Sequence, residues 1–142
     1  MKGNIIKLEY SVVQNDFSRA GEASSNMKKI LIRLGIDSKI IRKAAIATYE
    51  AEMNIVIHSH GGNIFVQISP EYIEIEAIDR GPGIDNIDLA MKEGYSTASN
   101  DVRELGFGAG MGLPNMKKFC DEFQINSVSG QNTKVKMKIY IK

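Results

Sequence analysis

Cysteine, net charge and long apolar runs are nearly or wholly absent from this 142-residue sequence. Its single cysteine, Cys120, excludes an internal disulfide and a zinc site built from cysteines. A formal net charge of +1 gives no electrostatic preference for nucleic acid or for an acidic partner. Because no apolar run is long enough to cross a membrane and no secretory signal is found, we expect a cytoplasmic protein that binds neither nucleic acid nor membranes directly.

The composition is that of an ordinary globular domain. Apolar residues make up 43% of the chain and charged residues 25%, as in most soluble proteins. The length is sufficient for one domain with a proper core. Since we find no internal repeat, low-complexity tract or linker, we predict a single domain over residues 1–142.

Alternating apolar residues predict five strands, and apolar stripes with capping signals predict three helices. The strands are expected at about 4–13, 63–68, 72–78, 122–127 and 133–141, and the helices at about 16–34, 38–58 and 114–120. Asn15 or Asp16 is the expected cap of the first helix and Asp37 that of the second, while Gly35 should end the first. Lysines on one face of the last strand predict an exposed edge strand.

The third predicted strand ends in Asp79-Arg80-Gly81-Pro82-Gly83. Two glycines around a proline let a flat ligand approach the main chain. The Asp79 carboxylate could accept a hydrogen bond from a ligand amine, such as that of adenine. Taken alone, the same residues are more typical of an ordinary turn.

Glu50 and Asn54 lie one turn apart on the second predicted helix, so both side chains can point at one ligand. A carboxamide oxygen is a suitable Mg²⁺ ligand, and a carboxylate can take a proton from an attacking hydroxyl group. An exposed polar patch on an amphipathic helix is the alternative interpretation.

Residues 106–113 contain four alternating glycines directly before the third predicted helix. A glycine-rich loop that runs into a helix N-terminus is typical of a phosphate cradle, and a flexible hinge is the alternative. The spacing matches neither a Walker A loop nor a dinucleotide fingerprint. Small and polar residues dominate the segment before it, so we predict a mobile lid at about 84–109.

These three patches, in this order, resemble the N, G1 and G2 boxes of one ATPase superfamily. Its members include gyrase, the ninety-kilodalton heat-shock chaperone, histidine kinases and MutL. Within it, the chain is most similar to the small bacterial anti-sigma-factor serine/threonine kinases and related switch kinases, on Gly110-Met111-Gly112-Leu113-Pro114 and the residues after it. The resemblance implies an α/β fold of the Bergerat type: an α+β two-layer sandwich with a mixed, mostly antiparallel sheet, helices on one face and a mobile ATP lid.

The matching positions imply roles in binding ATP and Mg²⁺. Asn54 would coordinate Mg²⁺, Glu50 would be the general base, and Asp79 would bind the adenine amine. The other expected nucleotide contacts are Gly81, Gly83, Arg103, Gly108, Ala109, Gly110, Met111, Gly112, Leu113 and Thr133.

The resemblance also implies a function. The protein would transfer the γ-phosphate of ATP to a serine or threonine of a STAS-type anti-anti-sigma partner. Alternatively, it would be a nucleotide-gated binding module that sequesters a sigma factor or another regulator with little or no chemistry. A third hypothesis is phosphorylation of a separate histidine-bearing partner. A homodimer is left open.

Overall fold

The computed structural model describes residues 5–81, 91, 112–127 and 132–141 of the chain. Within them, strand β1 is followed by helices α1 and α2, strands β2 and β3, helix α3, and strands β4 and β5. Their bounds are β1 Ile6–Val12, α1 Glu22–Arg33, α2 Ser38–His58, β2 Gly62–Ile68, β3 Tyr72–Asp79, α3 Gly112–Phe119, β4 Glu122–Ser127 and β5 Thr133–Tyr140. None of the helices in these ranges is long and apolar enough to span a membrane.

The described strands form one sheet in the order β1-β2-β3-β5-β4, and each of its four ladders is antiparallel. Side chains alternate between a buried and an open face, as the period of a strand requires. Along β5, for example, Thr133, Val135 and Met137 are buried, whereas Lys134 and Lys136 are exposed. The sheet therefore presents one apolar face to the rest of the molecule.

Helices α1, α2 and α3 supply the other side of the core. Small residues on α2, Ala44, Ala47 and Ala51, are 0–2% exposed and allow close approach of its backbone. Met27 and Leu31 of α1, one turn apart, are fully buried in the same cluster. The sheet side of this core consists of Ile64, Val66, Ile68, Ile73, Ile75, Val135, Met137 and Ile139. The predicted two-layer fold with helices on one face is confirmed.

The expected signals at the end of the first helix and the start of the second are found, but the expected start of the first helix is wrong. Gly35 follows α1 in the left-handed region (φ 74°), and the Asp37 carboxylate accepts the N–H of Lys39 at the start of α2. The first helix, however, begins at Glu22 rather than near 16. Asn15, an expected cap, instead adopts a positive φ of 60° and donates its N–H to the Val56 carbonyl.

The last strand is not an edge strand, contrary to the sequence-based expectation. Strand β5 lies between β3 and β4, so the edges of the described sheet are β1 and β4. The β5 lysines point to the open face, where Lys136 pairs with Glu74 at 3.0 Å and Lys134 with Glu76 at 3.4 Å. The alternation predicted the exposed face, but not the position of the strand in the sheet.

The N-terminus of α1 is capped by a carboxylate from α2. Glu52, only 3% exposed, accepts the N–H groups of Gly21 and Ala23 at 3.0 Å and that of Ser24 at 3.3 Å. The N-cap residue Gly21 has no side chain with which to do this. Glu52 therefore joins the two helices through an interaction that combines hydrogen bonds with the favourable end of the helix dipole.

Replacing Glu52 with glutamine is expected to lower the free energy of unfolding by about 1–2 kcal/mol, because one acceptor oxygen is exchanged for a donor that faces an N–H group. Desolvation, opposed by the three N–H donors, raises the pKa of Glu52 above 4.5. The folded chain thus binds more protons than the unfolded chain between 4.5 and that raised pKa. The contribution of Glu52 to stability accordingly increases as the pH falls through this window.

Urea denaturation of the wild type and Glu52→Gln at neutral and mildly acidic pH measures both effects. The difference between the two proteins should widen as the pH falls. Glu71→Gln is the matched control, because Glu71 is an exposed carboxylate on the turn before β3, away from α1 and Glu52. A difference that narrows on acidification would contradict the raised pKa.

Candidate functional site

Asp79 lies at the end of β3, where one of its oxygens is held by two backbone donors. Its Oδ1 accepts the N–H of Gly81 at 2.9 Å and that of Thr133 at 3.0 Å. The Thr133 hydroxyl lies 2.6 Å from that of Ser127 on the neighbouring strand. Within the part of the chain that the structure describes, no donor contacts Oδ2. The structure thus brings Asp79, Gly81 and Thr133 together, and the second carboxylate oxygen remains an acceptor for a ligand amine.

The turn that carries Gly81 is hydrogen-bonded to the loop at the end of α2. The N–H of Arg80 donates to the Gly61 carbonyl at 2.9 Å, and the N–H of His60 donates to the Gly81 carbonyl at 3.1 Å. Gly61 and Gly81 both have positive φ, 97° and 88°, which favours glycine at these two positions. The pair of reciprocal bonds fixes the backbone next to Asp79.

Ser59 extends this connection into α2. Its buried hydroxyl lies 3.0 Å from the Ile55 carbonyl and 3.2 Å from the Gly61 carbonyl, and it accepts the Gly61 N–H at 3.1 Å. The last turn of α2 is therefore linked through Ser59 to the loop that holds the Asp79 turn. The helix that bears Glu50 and Asn54 and the strand that bears Asp79 form one connected unit.

Glu50 and Asn54 are both half-buried on α2, one turn apart. Glu50 Oε2 accepts a hydrogen bond of 2.8 Å from the amide of Asn115, which lies on α3. The two α2 side chains provide carboxylate and carboxamide oxygens, the donor type that Mg²⁺ prefers. No group of three or more acidic, histidine or cysteine side chains in the described ranges could hold a metal. The Asn54 carboxamide fits a Mg²⁺ that also takes phosphate oxygens, rather than an all-protein metal cage, and this leaves the Glu50 carboxylate free to take a proton.

The glycine-rich part of the predicted site is only partly described. Gly112 is the first residue of α3 and Leu113 follows it, 7% exposed and packed in the core. Any nucleotide contact of Leu113 would therefore come from its backbone N–H. The predicted contacts that lie outside the described residues are Gly83, Arg103, Gly108, Ala109, Gly110 and Met111, and the predicted lid lies there too, apart from Met91.

The lone cysteine, Cys120, is half-buried against the core. Burial raises the pKa of the Cys120 thiol to about 12, and the nearby Asp121 carboxylate adds to the shift. At neutral pH the group is a protonated thiol that packs against the core.

Three contacts were not predicted from the sequence: those of Asn115 and Ser59, which support the site, and that of Glu52, which caps α1. Glu52 falls among the apolar positions of α2, which was a signal that it is buried, but its partners are about 30 residues earlier in the chain. Asn115 and Ser59 carry no local pattern that distinguishes them from surface polar residues. Their contacts depend on which elements meet in space, and this is set by the fold.

The comparisons with known proteins identify the family of this domain. Residues 41–142 match the family model described as "Histidine kinase-, DNA gyrase B-, and HSP90-like ATPase". The chain is 31% identical to the serine/threonine-protein kinase RsbT of Bacillus subtilis over 124 residues, which cover 84% of this chain and 85% of that protein. It is 37% identical to the anti-sigma F factor of Thermoanaerobacter sp. (strain X514) over 100 residues, covering 67% of this chain and 66% of that protein.

A solved structure confirms the fold independently. The crystal structure of the RsbU and RsbW domains of a Mycobacterium tuberculosis protein superimposes with a TM-score of 0.63 and 16% identity, over 94% of this chain and 31% of that chain. The predicted similarity to the anti-sigma-factor kinases is confirmed by the names of these relatives. The chain belongs to the family of histidine kinase-, DNA gyrase B- and HSP90-like ATPases.

Proposed function

We propose that the protein is an anti-sigma-factor-type serine/threonine kinase that uses Mg·ATP to phosphorylate a STAS-type partner. The observation that carries this proposal is the pair of α2 side chains, Glu50 and Asn54, linked by Ser59 and the loop after it to the Asp79 turn. One end of this unit offers an acceptor for the adenine amine, and the other offers groups for a metal and a proton. The name of one relative, the serine/threonine-protein kinase RsbT, supports the same activity.

The chemistry assigned to the chain is limited to positioning and one proton transfer. The partner's hydroxyl oxygen attacks the γ-phosphorus of ATP, the bond from that phosphorus to the β,γ-bridging oxygen breaks, and ADP leaves. Glu50 accepts the hydroxyl proton. Asn54 would hold Mg²⁺, which neutralises charge on the phosphate oxygens when bound. Asp79 fixes the adenine end, so that the γ-phosphate meets Glu50 in one orientation.

A nucleotide-gated binder is the second candidate, favoured by the anti-sigma F factor among the relatives. Such a domain would hold a sigma factor or another regulator in one nucleotide state and release it in the other. Incubation with radiolabelled ATP and a STAS protein encoded by a neighbouring gene distinguishes the two. Label on the partner supports the kinase, whereas nucleotide-dependent capture of a partner without label supports the binder.

Replacing Asp79 with asparagine is expected to weaken nucleotide binding by about ten- to a hundred-fold. The substitution keeps the shape and can keep the Oδ1 acceptor for Gly81 and Thr133, but it places an amide where Oδ2 would face the adenine amine. A hydrogen bond to a charged group contributes about 1.5–3 kcal/mol, which corresponds to that loss of affinity. Isothermal calorimetry with ADP and ATP in the presence of Mg²⁺ measures the effect.

The matched control for Asp79→Asn is Glu71→Gln, which removes one negative charge from the exposed turn before β3. It should bind nucleotide like the wild type. Urea denaturation of Asp79→Asn checks that the fold is retained. Unchanged affinity in a folded Asp79→Asn variant would remove the adenine assignment.

A further inference from the structure

We propose that Asn115 is a positioning residue for the general base Glu50, an inference that rests on the kinase function proposed above. Its amide nitrogen donates to Glu50 Oε2 at 2.8 Å, across the interface between α3 and α2. A carboxylate only accepts hydrogen bonds, so the amide NH₂ must face Glu50 and the orientation of the Asn115 side chain is fixed by chemistry. Both side chains are half-buried, so the bond is partly shielded from water.

The bond gives the carboxylate a single orientation. Oε2 is held by Asn115, and within the described residues no donor contacts Oε1. A general base must present a lone pair to the proton within hydrogen-bond reach, and a side chain that samples several rotamers does so only part of the time. Holding one oxygen leaves the other as the proton acceptor and reduces the entropy lost when the partner's hydroxyl arrives.

The helix that carries Asn115 is rigidly placed. Leu113 and Met116, on either side of it in sequence, are 7% and 0% exposed and belong to the core cluster that also includes Ala47 and Ala51 of α2. The backbone of Asn115 therefore stays beside α2, within reach of Glu50, as long as α3 remains packed in the core. Gly112, the first residue of α3, directly precedes the buried Leu113 and is the end of the predicted phosphate loop. The short helix α3 therefore connects that loop with Asn115, the partner of Glu50.

An ordinary packing contact between two helices is the competing interpretation. It would stabilise the fold and would have no specific effect on proton transfer. The two interpretations differ in what happens once Glu50 no longer functions as a base. A positioning residue has no further effect on transfer in that background, whereas a packing residue lowers stability and binding in any background.

The test is single-turnover phosphorylation of the STAS partner by the wild type, Asn115→Ala, Glu50→Gln and the double variant. We expect Asn115→Ala to lower the transfer rate about ten-fold, with ATP affinity within about two-fold of the wild type. Asn115→Asp keeps the shape of the side chain but places a second carboxylate next to that of Glu50. Because the two negative charges repel, this variant should lower the transfer rate further, by about a hundred-fold. In the Glu50→Gln background, Asn115→Ala should change the residual rate by less than about two-fold.

Lys117→Ala is the matched control, because Lys117 is exposed on the same helix. If Glu50→Gln slows phosphoryl transfer but Asn115→Ala does not, the positioning role is overturned and the kinase function is left intact. An equal loss caused by Asn115→Ala in both backgrounds would do the same, because it would identify a packing effect. A wild type that transfers no phosphate to any partner would overturn the kinase function, and the positioning role with it.

Discussion

Replacing Glu50 with glutamine is expected to slow phosphoryl transfer by about a hundred- to ten-thousand-fold, the usual range for a lost general base. Glutamine keeps the length and can still accept a bond from Asn115, so the α2–α3 interface should remain intact. Mg·ATP binding should persist, because Glu50 is not among the groups assigned to the adenine or the metal. Single-turnover transfer to the partner, measured beside nucleotide calorimetry, separates the rate from the affinity.

Two comparisons make the Glu50→Gln result specific. Glu122→Gln removes a carboxylate from the exposed start of β4 and should transfer phosphate at the wild-type rate. Asn54→Ala should instead lose metal-dependent affinity and transfer together, since the carboxamide is assigned to Mg²⁺. Full transfer by Glu50→Gln would exclude it as the base. If both the wild type and Glu50→Gln capture a partner in a nucleotide-dependent way, and neither transfers phosphate to it, the gated binder is favoured.

The elements of this fold could be predicted because each has a local cause. The alternation in β2, β3, β4 and β5 is visible within the sequence of each strand, and the start of α2 depends on the Asp37 cap next to it. The strand end and the helix face of the candidate site each carry their own pattern, and the structure links these two parts. The glycine-rich segment also has its own pattern but lies mostly outside the described residues. The order of the patches then indicated the family, and the family model confirms it.

What could not be predicted depends on contacts between distant parts of the chain. The start of α1 is set by Glu52, whose carboxylate comes from another helix and replaces the local cap that the sequence offered. The place of β5 between β3 and β4 follows from pairing in space, which the order of strands along the chain does not determine. The same holds for the bond from Thr133 to Asp79, since these residues are 54 positions apart. A sequence pattern describes one element, whereas these contacts belong to pairs of elements.

Gly62 shows how closely the fold constrains the site. It faces Asp79 in the ladder between β2 and β3. A Cβ added at Gly62 would overlap the carbonyl oxygen of Ile78 and lie 2.8 Å from the Cα of Asp79. Both are backbone atoms of β3, so no side-chain rotation relieves the overlap. The two strands would have to separate next to Asp79, the carboxylate that we propose binds adenine.

Gly62→Ala is therefore expected to lower the free energy of unfolding by about 3–5 kcal/mol and to weaken nucleotide binding at least about ten-fold in the molecules that remain folded. Gly35→Ala is the matched control: its φ of 74° is unfavourable for alanine, but nothing lies within 4 Å of the added Cβ. Gly35→Ala should lower the free energy of unfolding by about 1 kcal/mol and leave nucleotide affinity unchanged, because the strain is local to the end of α1. Urea denaturation and calorimetry of both variants measure the two quantities. If Gly62→Ala binds nucleotide as tightly as Gly35→Ala, the spacing between β2 and β3 does not control the position of Asp79.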